Sequence, residues 1–233
     1  MTHVVAGAMA VPRWWGLGHT GVSPAAWSVI LPSAMSEGDA QIIQAVLEGE
    51  VDRYAELVER YQGQAIRLAF SLLGNYEDAK DASQEAFVSA YRALARFRGR
   101  AKFSTWLYRI VVNECKDVHR HRARQPMTVA RVGQADPDEP GAEALFVVDV
   151  EDHAAGPSGQ LAHQELSQTL SRSIQALPLK QRTAFLLHHV HGLPLDEVAG
   201  VMRCRVGTVK AHVFRATEHL RIALGPWLAK EGI

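Results

Sequence analysis

Apolar residues recur at helical spacing over two long stretches of this 233-residue chain, and the stretch between them lacks that rhythm. No single motif constrains the fold as strongly. Steps of three and four place one continuous apolar face on a helix, whereas a strand needs alternation. The first stretch runs from Asp39 to about Arg124. In "DAQIIQAVLEG", Ile42, Ile43, Val46 and Leu47 form a short helix and Gly49 stops it. Tyr54, Leu57, Val58, Tyr61, Ala65, Leu68, Ala69 and Leu72 stripe a longer helix that ends at Gly74. Asn75 caps the next one, "YEDAKDASQEAFVSAYRAL", with Glu77 and Asp78 in a first turn that favours carboxylates. The basic turn "RFRGRAKF" leads into a helix from Ser104 to Arg120 whose buried side is Leu107, Ile110, Val111 and Val118.

The rhythm returns at Leu161. Leu166, Leu170, Ile174 and Leu177 form a stripe closed by Pro178, and "LKQRTAFLLHHVHG" follows to Gly192. The expected fold is all-α: two helical domains, 39–124 and 161–226, on a flexible acidic linker, residues 125–160, with a helix-turn-helix in the second domain. The linker is expected to leave the domains independent, with "ALFVVDV" as its one piece able to order. Residues 1–38 have no packing pattern and read as a poorly ordered extension, so Met35, which opens "MSEGDAQIIQAV", is the expected start of translation.

Charge divides the chain in the same way. Formal net charge is zero, which taken alone argues against a nucleic-acid partner. Counted by segment, residues 39–91 carry 4 basic and 10 acidic side chains, net −6, and residues 92–124 carry 10 and 2, net +8. Residues 132–171 carry none and 8, net −8, and residues 172–233 carry 9 and 4, net +5. Two basic blocks therefore flank an acidic one, and the neutral total hides both. Cys115 and Cys204, the two cysteines, lie far apart, which suits a reducing cytoplasm without disulfides. No apolar run is long enough to insert in a membrane.

Two surfaces carry chemistry. In "MRCRVGTVKAHVFRATEHL", Val206, Val209, Val213, Ala216 and Leu220 form a seam, and Leu195, Val198, Ala199 and Met202 are the buried side of a short helix before it. Two short helices around a tight turn, the second basic at its start, spell either a DNA-reading helix-turn-helix or a plain packed hairpin. The second surface lies on residues 96–122. Thr105, Arg109, Asn113, Lys116 and Arg120 form a polar, basic stripe, with Phe103, Trp106 and Tyr108 clustered at its N-terminal end. Cations hold phosphates and aromatic rings stack on unpaired bases, so the stripe suits a melted nucleic acid. The rings equally suit a core, Phe103 more so than Trp106. Elsewhere Asp81, Glu85, Val88 and Arg92, with Gln84 beside them, share a helix face that reads as solvated or as a docking surface.

"EDAKDASQEAFVSAYRAL" followed by "FSTWLYRIVVNECKDVHRHR" resembles region two of the extracytoplasmic-function group of bacterial RNA polymerase sigma factors. "ALPLKQRTAFLLHHVHGLPLDEVAGVMRCRVGTVKAHVFRATEHLR" resembles their region four. The likeness covers about 39–124 and 161–222, both halves in the family's order. It implies a non-catalytic protein, without cofactor or metal, that recruits core RNA polymerase to promoter DNA and is held in check by an anti-sigma factor. It implies polymerase docking through Asp78, Asp81, Gln84, Glu85, Val88 and Arg92. It assigns opening and holding of the −10 element to Arg98, Arg100, Lys102, Ser104, Thr105, Trp106, Tyr108, Arg109, Asn113, Lys116 and Arg120. Reading of the −35 element falls to Arg205, Gly207, Thr208, Lys210, Ala211, His212 and Arg215. Arg205 stands where the family often has proline or a small residue, and His212 where it often has arginine, so the −35 preference is expected to be its own.

Two other readings compete. "GTVKAHV" also resembles the helix-turn-helix of response regulators, which carry an α/β receiver. Cys115, His119, His121, His188, His189 and His191 are ligand types for zinc or copper, although their spacing matches no common site.

Overall fold

The computed structural model describes residues 37–124 and 157–231, and every regular element among them is helical. Helix α1 spans Glu37–Glu48, α2 Tyr54–Leu73, α3 Tyr76–Ala93 and α4 Phe103–Arg124. They are followed by α5 Pro157–Ala176, α6 Leu179–Phe185, α7 Leu195–Met202 and α8 Val206–Glu231. The expected all-α class holds. The expected N-terminal extension, Met35 and the segment "ALFVVDV" lie outside the described residues. The linker boundary needs one correction: residues 157–160, expected in the linker, are the first turn of α5, and Pro157 stands at the helix start, where a missing N–H costs nothing.

The helix ends follow from local chemistry. Gly74 closes α2 with a left-handed backbone, φ 71°, and its N–H donates to the Phe70 carbonyl at 2.8 Å. The Asn75 side chain then accepts from the Asp78 N–H at 2.9 Å and starts α3. Helix α3 buries Ala79, Ala82, Ala86 and Ala90. So small a stripe lets α2 and α4 approach closely and interlock Leu57, Leu68, Leu72, Leu107, Val111 and Val112 over it. Helix α1 is tied down by Asp39, only 3% exposed, which pairs with Arg60 and accepts from the Tyr61 hydroxyl at 2.6 Å.

In the C-terminal half, α6 widens into a π-turn over Leu186–Val190, marked by the His191 N–H donating to the Leu186 carbonyl at 2.9 Å. The widening points both Leu186 and Leu187 inward. Val198, Val201, Val209, Ala216 and Leu220 complete that core. Some expected core residues sit nearer the surface. Leu47 and Val206 are each 38% exposed at helix ends, and Ile110 and Val118 are half-buried on the flank of α4.

The halves are not independent. Helices α5 and α6 pack on α2, and α7 lies against α4. The His191 ring, on this seam, packs against Tyr108 with centroids 4.9 Å apart. Burial, followed by the nearby Arg67 charge, lowers its imidazole from the ordinary 6.5 to about 4.

Two predictions follow from these contacts. Asn75→Ala should cost about 1 kcal/mol and lower the melting temperature by roughly 2–4 °C; thermal unfolding checks it. His191 binds its proton less readily folded than unfolded, so the unfolded state holds more protons between pH 6.5 and 4 and stability falls as pH falls through that window. The loss should reach up to roughly 3 kcal/mol. Urea unfolding across that range should show a pH slope that His191→Phe largely flattens, the remainder belonging to His189 and His212, whose imidazoles are also lowered.

Candidate nucleic-acid interface

The turn between α7 and α8 sets one surface. Arg203 ends α7 in the left-handed conformation, φ 54° and ψ 48°, a backbone that suits glycine better than arginine. The Cys204 N–H donates back to the Ala199 carbonyl at 3.1 Å, and the Arg205 carbonyl accepts from the Thr208 N–H at 2.9 Å to open α8. Val209, Ala216 and Leu220 then fix α8 on its domain, with Val213 half-buried. That geometry leaves Arg205, Gly207, Thr208, Lys210, Ala211 and Arg215 exposed on the first turns of the helix, with Phe214 71% exposed beside them. His212 is half-buried, and burial, then the Arg215 and Lys180 charges, lowers its imidazole below the ordinary value. Arg205, Lys210 and Arg215 therefore supply the exposed cations of this surface.

The second surface is less uniform than its sequence pattern. Arg98, Arg100 and Lys102 are exposed in the turn before α4, and the Lys102 carbonyl accepts from the Trp106 N–H at 3.1 Å. Ser104, Arg109, Asn113 and Lys116 are half-buried, and exposed Arg120 is ion-paired with Asp117 one turn away. The aromatic cluster divides. Phe103 is fully buried and Phe97 nearly so, while Trp106 lies half-buried across both, with centroids 5.7 and 5.0 Å away. The half-buried ring is thus part of the aromatic cluster and still reaches the surface.

Two residues of the expected stripe are not displayed. Tyr108 is 4% exposed, its hydroxyl donates to Gln64 Oε1 at 2.8 Å, and burial pushes its phenol up to about 12. Thr105 is 6% exposed, and its hydroxyl donates to Glu197 Oε2 of α7 at 2.5 Å. Thr105 lies at the edge of the stripe and α7 covers it, whereas Tyr108 shares the apolar side of α4 with Val111, Val112 and Cys115 and is enclosed by Gln64 of α2 and by His191. Lys116 is also affected: burial, then the Arg203 and Lys180 charges, lowers its ammonium below the ordinary value.

The acidic face of α3 is open. Asp81, Gln84, Glu85, Val88 and Arg92 are all exposed, Val88 by 40%. Asp78 stands apart, half-buried in an ion pair with Arg122 that ties α3 to the end of α4. Among the described residues no three His, Cys, Asp or Glu side chains come together as metal ligands would. Cys115 is buried with its thiol pushed up to about 12, and His119 Nε2 faces the Leu72 carbonyl at 3.2 Å. Nor does any described helix have the length and apolarity to cross a membrane.

Sequence reasoning missed Gln64, Gln175, Arg182 and Glu197, and read His191 only as a candidate metal ligand. Only Arg182, a cation on the apolar side of "LKQRTAF", carries a hint of its role, since a charge placed there needs a buried partner.

Comparison with known proteins finds two matching family models. The model of sigma-70 region 2 matches residues 57–125, and that of sigma-70 region 4 matches residues 167–220. The chain is 37% identical over 196 residues to the RNA polymerase sigma-H factor of Pseudomonas aeruginosa, covering 82% of this chain and 96% of that one. It is 34% identical over 195 residues to the ECF RNA polymerase sigma-E factor of Escherichia coli K12, covering 82% and 97%. Among solved structures, CnrH in complex with the cytosolic domain of CnrY superposes with a TM-score of 0.55 at 20% identity, over 79% of this chain and 96% of that one. The sigma factor RpoE bound to the anti-sigma factor NepR, from Bartonella quintana, superposes at 0.52 and 20%, over 73% and 97%. At such identity these two structures speak for the fold.

Proposed function

This chain belongs to the extracytoplasmic-function group of sigma-70 factors, and on that premise we propose how its surfaces divide the work of transcription initiation. A sigma factor gives core RNA polymerase its choice of promoter. The single observation that carries the assignment is the first two turns of α8: an apolar seam holds the helix while Gly207, Thr208, Lys210, Ala211 and Arg215 face solvent. Such a helix fits the major groove at the −35 element. Its free N-terminal N–H groups favour a phosphate, Arg205, Lys210 and Arg215 contact phosphates or base edges, and Gly207 and Ala211 permit close approach.

The N-terminal domain acts at the −10 element. Arg98, Arg100 and Lys102 hold the backbone, Ser104, Arg109, Asn113, Lys116 and Arg120 line the strand, and Trp106 supplies a ring to unpaired bases, while the roles expected of Thr105 and Tyr108 require that they first be uncovered. The open face of α3, from Asp81 to Arg92, docks on polymerase with Asp78 at its edge; its exposed acids and Val88 suit a basic partner with an apolar contact. The protein works by binding, without catalysis, in the cytoplasm where polymerase resides. An anti-sigma factor is the expected inhibitor, since a solved relative of the same fold is described with one.

Run-off transcription with purified core tests the reading. Core alone should not start at the cognate promoter, and core with this chain should. Glu85→Lys should lose core binding in a pull-down while free-chain stability is unchanged. Arg215→Ala should weaken promoter binding by roughly 1–3 kcal/mol in a manner dependent on the −35 sequence. Trp106→Ala should slow strand opening, read by permanganate footprinting, and a template mismatched across the −10 region should rescue it. Equal initiation with and without the chain overturns the assignment. Loss of the domain fold in Trp106→Ala overturns the stacking role.

A further inference from the structure

A cleft of about 730 Å³ opens between the later turns of α4, the start of α6 and the turn after α7. Clefts of about 300–1,000 Å³ are the size that holds a small molecule. Helix α4 contributes Asn113, Lys116 and Ala123 to the lining, and the C-terminal half contributes Leu179 and Arg203. The charge of the cleft is one-sided. Asp117 and Arg120 also line it, but they pair with each other and offset one another. Lys116 and Arg203 remain, joined by exposed Lys180 next to Leu179. Among the described residues none of these three cations has an ion-pair partner. They are close enough to repel: burial first, then the Arg203 charge and more weakly that of Lys180, lowers the Lys116 ammonium below its ordinary value.

The backbone of Arg203 is an independent sign. At φ 54° and ψ 48° it is left-handed, in an exposed turn where glycine would adopt the same conformation without strain. An arginine there sets a guanidinium in the cleft lining despite that strain. Cations gathered without a counter-charge are stabilised by an anion that touches several of them at once, through charge-assisted hydrogen bonds.

We propose that this cleft binds a small molecule carrying two or more adjoining phosphates. The phosphates lie between Lys116, Lys180 and Arg203, the Asn113 amide adds hydrogen bonds, and the rest of the ligand runs along Leu179 and Ala123. Free polyphosphate and a nucleoside triphosphate share the phosphate chemistry, and the apolar lining favours the nucleoside. The site goes beyond the promoter roles assigned above, since it needs neither DNA nor polymerase, although Asn113 and Lys116 belong to both.

The test is calorimetric titration of the full chain at fixed ionic strength with tripolyphosphate, ATP and sulfate, joined to melting temperatures with each ligand. Tripolyphosphate should bind saturably, one per chain, ATP several-fold more tightly, and sulfate not saturably. Arg203→Gly and Lys180→Ala lie outside the assigned DNA and polymerase surfaces, and each should weaken tripolyphosphate binding at least tenfold. Without ligand, Arg203→Gly should melt no lower than wild type, because glycine relieves the left-handed strain, so its lost binding is not lost folding. The site is overturned by the absence of saturable binding, by sulfate binding as tightly as tripolyphosphate, or by affinities unchanged in both variants. Equal affinities for ATP and tripolyphosphate keep the phosphate site and overturn the role of Leu179 and Ala123. No promoter or core enters these measurements, so their failure leaves the promoter reading standing, and failure of run-off transcription leaves this site standing.

Discussion

A buried guanidinium without a carboxylate organises this molecule. Arg182 lies where α2 and α5 both end, and the carbonyls around it belong to those two ends. Each helix terminus carries roughly half a negative charge in its unpaired carbonyls, so two ends together offset the cation without a counter-ion. Burial still pulls the guanidinium below its ordinary value, as expected when dipoles rather than a full charge surround it. The arrangement fixes more than a side chain. Helix α2 is the spine of the N-terminal core, and α5 with α6 underlies the helix-turn-helix, so orienting these ends on one guanidinium orients the two cores.

The charge pattern acquires its meaning from that geometry. Acid on α3 and base on α4 occupy one three-helix core, and alanines along α3 bring the helices close enough for one small domain to present surfaces of opposite sign. The Arg122–Asp78 ion pair marks where they meet. In the C-terminal half the cations fall around the turn and the start of α8, where the helix dipole adds to them. A chain neutral overall thus separates an acidic surface from basic ones.

Much of this was legible in the sequence because it is local. Gly74 and Asn75 announce a stop and a start in adjacent residues, and the α8 seam announces its exposed side by elimination. The helix-turn-helix needed no distant partner to be recognised. What escaped was long-range and polar. Thr105 sits at the edge of the polar stripe of α4, and Glu197, more than ninety residues further on, covers it, while Tyr108 is held on the apolar side by Gln64 and His191. Gln175 looks like any polar residue near a helix end until the α2 carbonyls stand opposite it. Periodicity reports which side of a helix is apolar, but not which polar side another domain will cover. Trp106 shows the same limit within one residue, since its half-buried ring packs against Phe97 and Phe103 and still reaches the surface, and spacing cannot separate the two parts.

The widened turn at Leu186–Val190 has a consequence of a different kind. A π-turn takes one residue more than an α-turn, and each residue of a helix advances the chain by about 100°. That extra residue sets the angle at which everything after it leaves α6, including His191 over Tyr108 and the direction of α7 and α8. The pose of α8 is therefore encoded in a residue count. Within this pentapeptide the exposed His189 and Val190 are open to replacement by other side chains, whereas losing or gaining one residue would swing the helix-turn-helix around its axis while leaving its own sequence untouched. The segment tolerates a change of spelling far better than a change of length.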